Sequence, residues 1–205
     1  MESTPAPQSR SHRGDRTELS DKDLLLGFIE GDMTMFETMV RRYEKPLHGL
    51  LYKLTGNRTV AADLFQETFM RVFQKAESFR GNSSFKTWLY TIATNLCRSH
   101  WRKKASRDSR PLNGSPEPRS TDPSPSRQVE SGEIGERIEE AVSELPAEQK
   151  EVFILKIYHE MTYAEIADTV QIPPGTVKSR MRLALQKLRK QLEDIAEAHD
   201  VSQNQ

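Results

Sequence analysis

The chain has 205 residues, room for one medium domain or two small ones, and its 35% hydrophobic and 29% charged residues suit a helical protein with some unstructured sequence. Its 30 Lys and Arg balance its 30 Asp and Glu, which argues against a protein that merely coats DNA by neutralising phosphates but leaves open DNA binding through segregated charge. Cys97 is the only cysteine, so an intramolecular disulfide and a cysteine-based zinc site are excluded; the histidines are scattered without ligand spacing, and no apolar run reaches the ~20 residues that span a bilayer.

Residues 1–19 read as a disordered polar tail with Pro5 and Pro7 and no signal-peptide core, so the expected location is the cytoplasm, without membrane insertion. A first helical block is expected over 20–104. Ser20 and Asp23 form a capping arrangement before Leu24, Leu25, Leu26, Phe28 and Ile29. A longer stripe of Phe36, Met39, Val40, Tyr43, Leu47, Leu50, Leu51 and Leu54 follows at three- and four-residue spacing, with Pro46 predicting a kink. Gly56 ends it and Asn57 caps the next helix, whose apolar side is Ala61, Leu64, Phe65, Phe69, Val72, Phe73 and Ala76. A second side carries Asp63, Gln66, Glu67, Met70 and Gln74. It reads either as a solvated face or as a docking face for a partner, and periodicity does not separate the two.

The polar loop Arg80 to Ser84 lies between Phe79 and Phe85. It can be an ordinary Gly-Asn turn, or a loop that holds an unstacked base while Asn or Ser bonds its edge. The next stripe, Phe85, Trp88, Leu89, Ile92, Ala93 and Leu96, assigns Trp88 to the core. Beyond it Arg98, Arg102, Lys103 and Lys104 gather around His100 and Trp101, with Lys86 at the helix start. Basic residues beside an aromatic suit a nucleic-acid backbone and a stacking platform better than a frayed helix end. Cys97 reads as a small packing residue.

Residues 105–131 hold Pro111, Pro116, Pro118, Pro123 and Pro125 among serines and charges, and are expected to form a flexible linker. A second helical block is expected over 132–197, with a short tail over 198–205. Ile134, Ile138, Ala141, Val142 and Leu145 form its first stripe, and Pro146 marks a helix start. Val152, Phe153, Ile154, Ile157 and Tyr158 form the second. Thr162 and Glu165 make a capping box for a short helix that buries Tyr163, Ile166, Ala167 and Val170. A last helix opens at Pro174 and buries Val177, Met181, Ala184, Leu188, Leu192 and Ile195. No strand pattern is present, so the fold class is all-α: two small helical domains joined by a linker.

A short capped helix, a tight turn and a basic helix describe a helix-turn-helix, with Ala164 and Ala167 small where two helices approach. Thr176, Lys178, Ser179, Arg180 and Arg182 face away from the apolar stripe. Short polar groups at the helix start can meet phosphates, and Arg can bond a guanine edge through two hydrogen bonds. By itself this motif says only that DNA is bound.

The stretch DLFQETFMRVFQKAESFRGNSSFKTWLYTIATNL resembles the second domain of extracytoplasmic-function sigma factors of the sigma-70 family, and LPAEQKEVFILKIYHEMTYAEIADTVQIPPGTVKSRMRLALQKLR resembles their fourth. Order and spacing match as well. The resemblance implies a subunit that binds core RNA polymerase, directs it to promoters and assists melting, with no catalysis, cofactor or metal of its own. It implies that Asp63, Gln66, Glu67, Phe69 and Met70 dock on the clamp helices of the largest polymerase subunit, and that the fourth domain meets the flap of the second-largest. It places Phe79, Arg80, Asn82, Ser83, Ser84, Lys86, Asn95, Arg98, Ser99, Arg102 and Lys103 at the melted minus-ten element. It places Thr176, Lys178, Ser179, Arg180 and Arg182 at the minus-thirty-five duplex. An anti-sigma factor is a further expected partner. Leu183 and Leu185 stand where many members carry arginines, implying a different minus-thirty-five sequence or weaker contact, and Trp101 also departs from the pattern. The alternative reading is a stand-alone helix-turn-helix regulator, whose first block should then hold an apolar ligand pocket rather than a basic-aromatic face.

Overall fold

The computed structural model describes residues 18–108 and 133–203, all of whose regular structure is helical. The expected N-terminal tail up to residue 17, most of the expected linker and the last two residues lie outside the described residues. So do the side chains of Ile134 and Ile195.

The chain divides into two compact units, Met1–Tyr43 and Glu44–Gln205. In the first, α1 (Asp21–Ile29) starts where Ser20 accepts a hydrogen bond from the Asp23 amide, as the capping arrangement requires. It buries Leu24, Leu25 and Phe28 and leaves Leu26 and Ile29 exposed, so its apolar run is wider than its buried stripe. Asp21 receives Arg42 Nη1 at 2.7 Å and the Tyr43 hydroxyl at 2.5 Å, tying α1 to the first half of α2 (Met33–Thr55). That helix runs unbroken through Pro46. The proline removes one backbone donor but does not end the helix, and buried residues stand on both sides of it, Met39 and Tyr43 before and Leu47 and Leu50 after.

The second unit takes in the rest of α2, whose Leu47, Leu50, Leu51 and Leu54 are buried. Gly56, at φ 68°, turns the chain, and Asn57 caps α3 (Arg58–Lys75) by accepting from the Val60 amide at 3.0 Å. His48 stacks on Phe65 with ring centres 4.0 Å apart, fixing α3 against α2. A 3₁₀ turn, Ala76–Ser78, leads to the loop before α4 (Phe85–Asp108), which packs along α3. That helix continues four residues past the expected linker start at 105, since the first proline lies only at Pro111.

Beyond the gap come α5 (Glu133–Ser143), α6 (Ala147–Ile157), α7 (Tyr163–Val170) and α8 (Pro174–Gln203). Val152, Phe153, Ile154, Leu155, Ile166, Val170, Val177, Met181, Ala184 and Leu188 are buried where α6, α7 and α8 meet. Pro146 stands one residue before α6, and Pro174 is the first residue of α8. The Thr162–Glu165 capping box is present in both directions. Gln171 in the left-handed region, with the Ile172 amide reaching back to the Ala167 carbonyl, makes the tight turn between α7 and α8.

Several expectations for this part need correction: Ile138 is exposed and Tyr163 is only half-buried. Ile157 is 50% exposed and Tyr158 is also exposed, because α6 ends there; buried His159 and Met161 follow. Ala164 is exposed, and Ala167 alone supplies the close approach. Leu192 is only half-buried.

Candidate nucleic-acid interface

Helix α3 presents one continuous outer face. Asp63 and Gln66 are exposed, Glu67 is half-buried and accepts from Arg71 Nε at 2.8 Å, and Met70 is 57% exposed. Phe69 is turned the other way, buried with its ring 5.1 Å from Phe65. Of the five residues expected to dock a partner, four therefore share a surface and Phe69 supports them from below. Phe73, placed on the apolar side by its sequence, is exposed and lies one turn beyond Met70 on the outer face. Spacing relative to Gln66 and Met70 carried that signal, but hydrophobicity pointed inward.

The loop from Phe79 to Ser84 is held at both ends by rings. Phe79 packs 5.0 Å from Trp88 and 6.4 Å from Phe85. Trp88 is half-buried rather than fully within the core. Between these anchors Gly81 takes φ 69°, a conformation that a side chain there would strain, and Arg80 and Asn82 project outward. Ser83 is half-buried. Ser84 is exposed, yet its hydroxyl already caps α4, accepting from the Thr87 amide at 3.1 Å and lying 2.9 Å from the Thr87 hydroxyl.

The residues of α4 expected at melted DNA divide in two. Lys103 is exposed. Asn95, Arg98, Ser99 and Arg102 lie on the side of the helix that faces α6, and Lys86 reaches the segment between α6 and α7. Lys86 Nζ donates to the His159 carbonyl at 2.7 Å. Arg98 Nη1 donates to the Val170 carbonyl at 3.0 Å, and its Nη2 pairs with Glu151 Oε2 at 2.7 Å. Asn95, Arg98, Ser99 and Arg102 line a cleft of about 540 Å³ whose opposite wall is Ala147, Glu148 and Glu151, with Trp101 at its edge. Arg102 is exposed, its guanidinium 3.2 Å from the Ser99 hydroxyl.

The electrostatics of this contact are set by burial. Glu151 is 1% exposed, and burial pushes its carboxyl above the ordinary range against the pull of the Arg98 hydrogen bond. Its Oε1 makes no hydrogen bond. His159 lies 3.1 Å from the Tyr90 hydroxyl through Nδ1, with the rings edge to face. Burial, then the charges of Lys86 and Lys53, hold this imidazole down to about 4, so it is neutral. Burial also raises the Tyr90 hydroxyl and pushes the Cys97 thiol up to about 12, the latter helped by Glu151.

On α8, Lys178, Ser179 and Arg182 are exposed, whereas Thr176 and Arg180 are half-buried. Arg180 Nη2 pairs with Glu148 Oε2 at 2.5 Å, and the Ser179 hydroxyl donates to the Thr176 carbonyl at 3.0 Å. Leu183 and Leu185 are exposed beside them. Sequence reasoning missed Glu148, Glu151 and His159. A glutamate directly before the buried run Val152 to Leu155 was a signal for a buried charge, but its partner stands 53 residues away.

Among the described residues no helix is long and apolar enough to cross a membrane, and no group of three or more His, Cys, Asp or Glu could hold a metal ion.

Comparison with known proteins identifies two matched regions. Residues 39–107 match the model for Sigma-70 region 2, and residues 135–188 match that for Sigma-70, region 4. The chain is 33% identical to the ECF RNA polymerase sigma factor SigW of Bacillus subtilis over 174 residues, covering 81% of this chain and 93% of that protein. It is 28% identical to the RNA polymerase sigma-H factor of Pseudomonas aeruginosa, over 87% of this chain and 97% of that one. Among solved structures it resembles the sigma factor RpoE in complex with the anti-sigma factor NepR from Bartonella quintana, with a TM-score of 0.63 at 26% identity over 77% of this chain and 96% of the other. The two regions in one order, over nearly the full length of these relatives, place this chain in the family of extracytoplasmic-function RNA polymerase sigma factors.

Proposed function

We propose that the protein binds core RNA polymerase, directs it to a set of promoters and assists strand opening, without catalysing a reaction. The observation that carries this is the pairing of two DNA-directed surfaces, the loop-and-helix segment Phe79 to Lys103 and the helix-turn-helix of α7 and α8, with a separate outer face on α3. A regulator that used α8 alone would leave the loop-and-helix segment and the outer face of α3 without a task.

In this reading residues 20–104 and 132–197 act as two functional domains. Asp63, Gln66, Glu67 and Met70 contact the clamp helices of the largest subunit, backed by Phe69, and the second domain meets the flap of the second-largest. Phe79, Arg80, Asn82, Ser83 and Ser84 hold a base extruded from the minus-ten element, while Lys86, Asn95, Arg98, Ser99, Arg102 and Lys103 follow the separated strand. Thr176, Lys178, Ser179, Arg180 and Arg182 read the minus-thirty-five duplex. Opening needs no chemistry and no cofactor: binding the unstacked base better than the paired one shifts the closed–open equilibrium by that difference. The site of action is the cytoplasm, and, as with the Bartonella relative, an anti-sigma factor is the expected inhibitor.

The test is polymerase dependence in a mobility shift on promoter duplex. The proposal predicts a specific shift only when core enzyme is present. A specific shift by the protein alone, unchanged by core, would favour a stand-alone regulator.

A further inference from the structure

Helix α8 carries two exposed leucines in the middle of its basic stretch. Leu183 is 43% exposed and Leu185 49%, with Lys178, Arg180 and Arg182 before them and Lys187, Arg189 and Lys190 after. The buried stripe of Val177, Met181, Ala184 and Leu188 fixes which way the helix faces. At about 100° of turn per residue, Ser179 lies opposite that stripe, and Arg182 and Leu183 stand about 50° to either side of the outward direction. Leu185 is turned about 110° away from it, onto the flank of the helix. The outward side is the one a recognition helix turns to the major groove. In this chain it presents an exposed arginine and an exposed leucine side by side.

We propose that Leu183 selects thymine at one position of the minus-thirty-five duplex by packing on its 5-methyl group in the major groove. The proposal rests on the assignment of α8 to that duplex and adds a base preference to it. The chemistry of the groove leaves one fitting partner. A leucine offers neither donor nor acceptor. Over a G·C pair it would cover the guanine N7 and O6 acceptors and the cytosine amino group, displacing their water without replacing the hydrogen bonds. The thymine methyl is the apolar group that a base pair presents there, and packing on it buries surface that Leu183 otherwise holds in solvent. Arg182 beside it is suited to a guanine edge, so the two side chains together read a G·C pair and an A·T pair near each other. Exposure alone does not make the argument, since single leucines are common on protein surfaces. Leu185 is that ordinary case, and direction separates the two.

The test uses holoenzyme assembled from core RNA polymerase and the full chain, on a promoter that it transcribes. Each thymine of the minus-thirty-five duplex is replaced in turn by uracil, which removes the methyl group and keeps the pairing, and binding is followed by fluorescence anisotropy. One such replacement is expected to weaken binding of the wild type about fourfold, the loss that one buried methyl group implies. Leu183→Ala should bind the thymine duplex at least that much more weakly and no longer distinguish it from the uracil duplex. Leu183→Met, which keeps an apolar side chain, should retain the difference, and Leu185→Ala should respond as the wild type does. With the same pair changed to C·G, 5-methylcytosine should bind better than cytosine, because it restores a methyl group at the same ring position. Circular dichroism checks that each variant folds. No uracil-sensitive position in the wild type would overturn the thymine contact. A penalty that survives in folded Leu183→Ala would also overturn it, by placing the leucine against protein rather than base. Wild-type binding indifferent to the whole minus-thirty-five duplex would instead overturn the underlying assignment of α8.

Discussion

Arg98 Nη2 lies 2.7 Å from Glu151 Oε2, and this ion pair joins α4 to α6 across 53 residues of sequence. Glu151 is almost wholly buried by the contact, whereas Arg98 keeps about a quarter of its side chain in solvent. The asymmetry means that Arg98 can turn outward at little cost, while Glu151 is the group that suffers when the pair is broken.

Cys97, next to Arg98, gives a reporter for this seam. It is fully buried, with a thiol pushed up to about 12 by burial first and Glu151 second. The thiolate is the reactive form, so the folded chain is expected to react with iodoacetamide at mildly alkaline pH far more slowly than the denatured chain. Glu151→Gln should speed labelling, since it both loosens the seam and removes one of the charges that disfavours the thiolate. Labelling of the folded wild type at the denatured rate would show that Cys97 is not sheltered.

Much of this fold was legible in the sequence because the information is local. Ser20, Asn57, Thr162 and Glu165 announce helix starts through hydrogen bonds that span three residues, and each stands where expected. The outer face of α3, and Phe69 on its buried side, followed from spacing, whereas Phe73 turns outward against it. The basic residues of the two proposed DNA surfaces stand out by charge, whereas Asn95 and Ser99 follow only from the family resemblance. What could not be read was that α4 turns its basic side onto α6 and α7. That packing depends on pairs 53 to 73 residues apart, Arg98 with Glu151 and Lys86 with His159, and no periodicity encodes them.

The outer face of α3 can be tested without disturbing the fold. Asp63 is exposed, and the Glu67–Arg71 pair is a partly exposed i,i+4 contact that contributes little to stability. The double variant Asp63→Ala with Glu67→Ala is expected to weaken binding to core RNA polymerase by roughly tenfold, a loss of about 1.4 kcal/mol, with an unchanged melting temperature. Surface plasmon resonance against immobilised core enzyme measures it. Unchanged affinity would remove these carboxylates from the docking face.

Arg182 projects freely from α8. Arg182→Ala is expected to lower transcription by about tenfold on promoters that present the minus-thirty-five element as duplex, in keeping with about 1–3 kcal/mol for a good arginine–base contact. On a pre-melted template lacking that element the variant should match the wild type. Equal losses on both templates would mean that Arg182 acts elsewhere.

His159 makes the seam sensitive to pH in a defined direction. Its imidazole, facing Lys86, Lys53 and Tyr90, titrates at about 4 in this conformation against an ordinary 6.5. A state in which it is exposed binds the proton more readily, so its contribution to the closed form is complete above about 6.5 and is lost as the pH falls toward 4. The raised Glu151 carboxyl works with the opposite sign. The difference between wild type and His159→Gln isolates the histidine: the radius of gyration of the wild type should increase more steeply on acidification through that window. Identical profiles would exclude His159 from the seam's response.

The central claim is that this chain gives core RNA polymerase its promoters. Run-off transcription of a fragmented bacterial genome library by core enzyme, with and without the protein, tests it most directly. The predicted result is a set of discrete starts that appear only when the protein is added and share two spaced upstream elements. Tight, specific binding of duplex by the protein alone, with no protein-dependent starts, would contradict the claim.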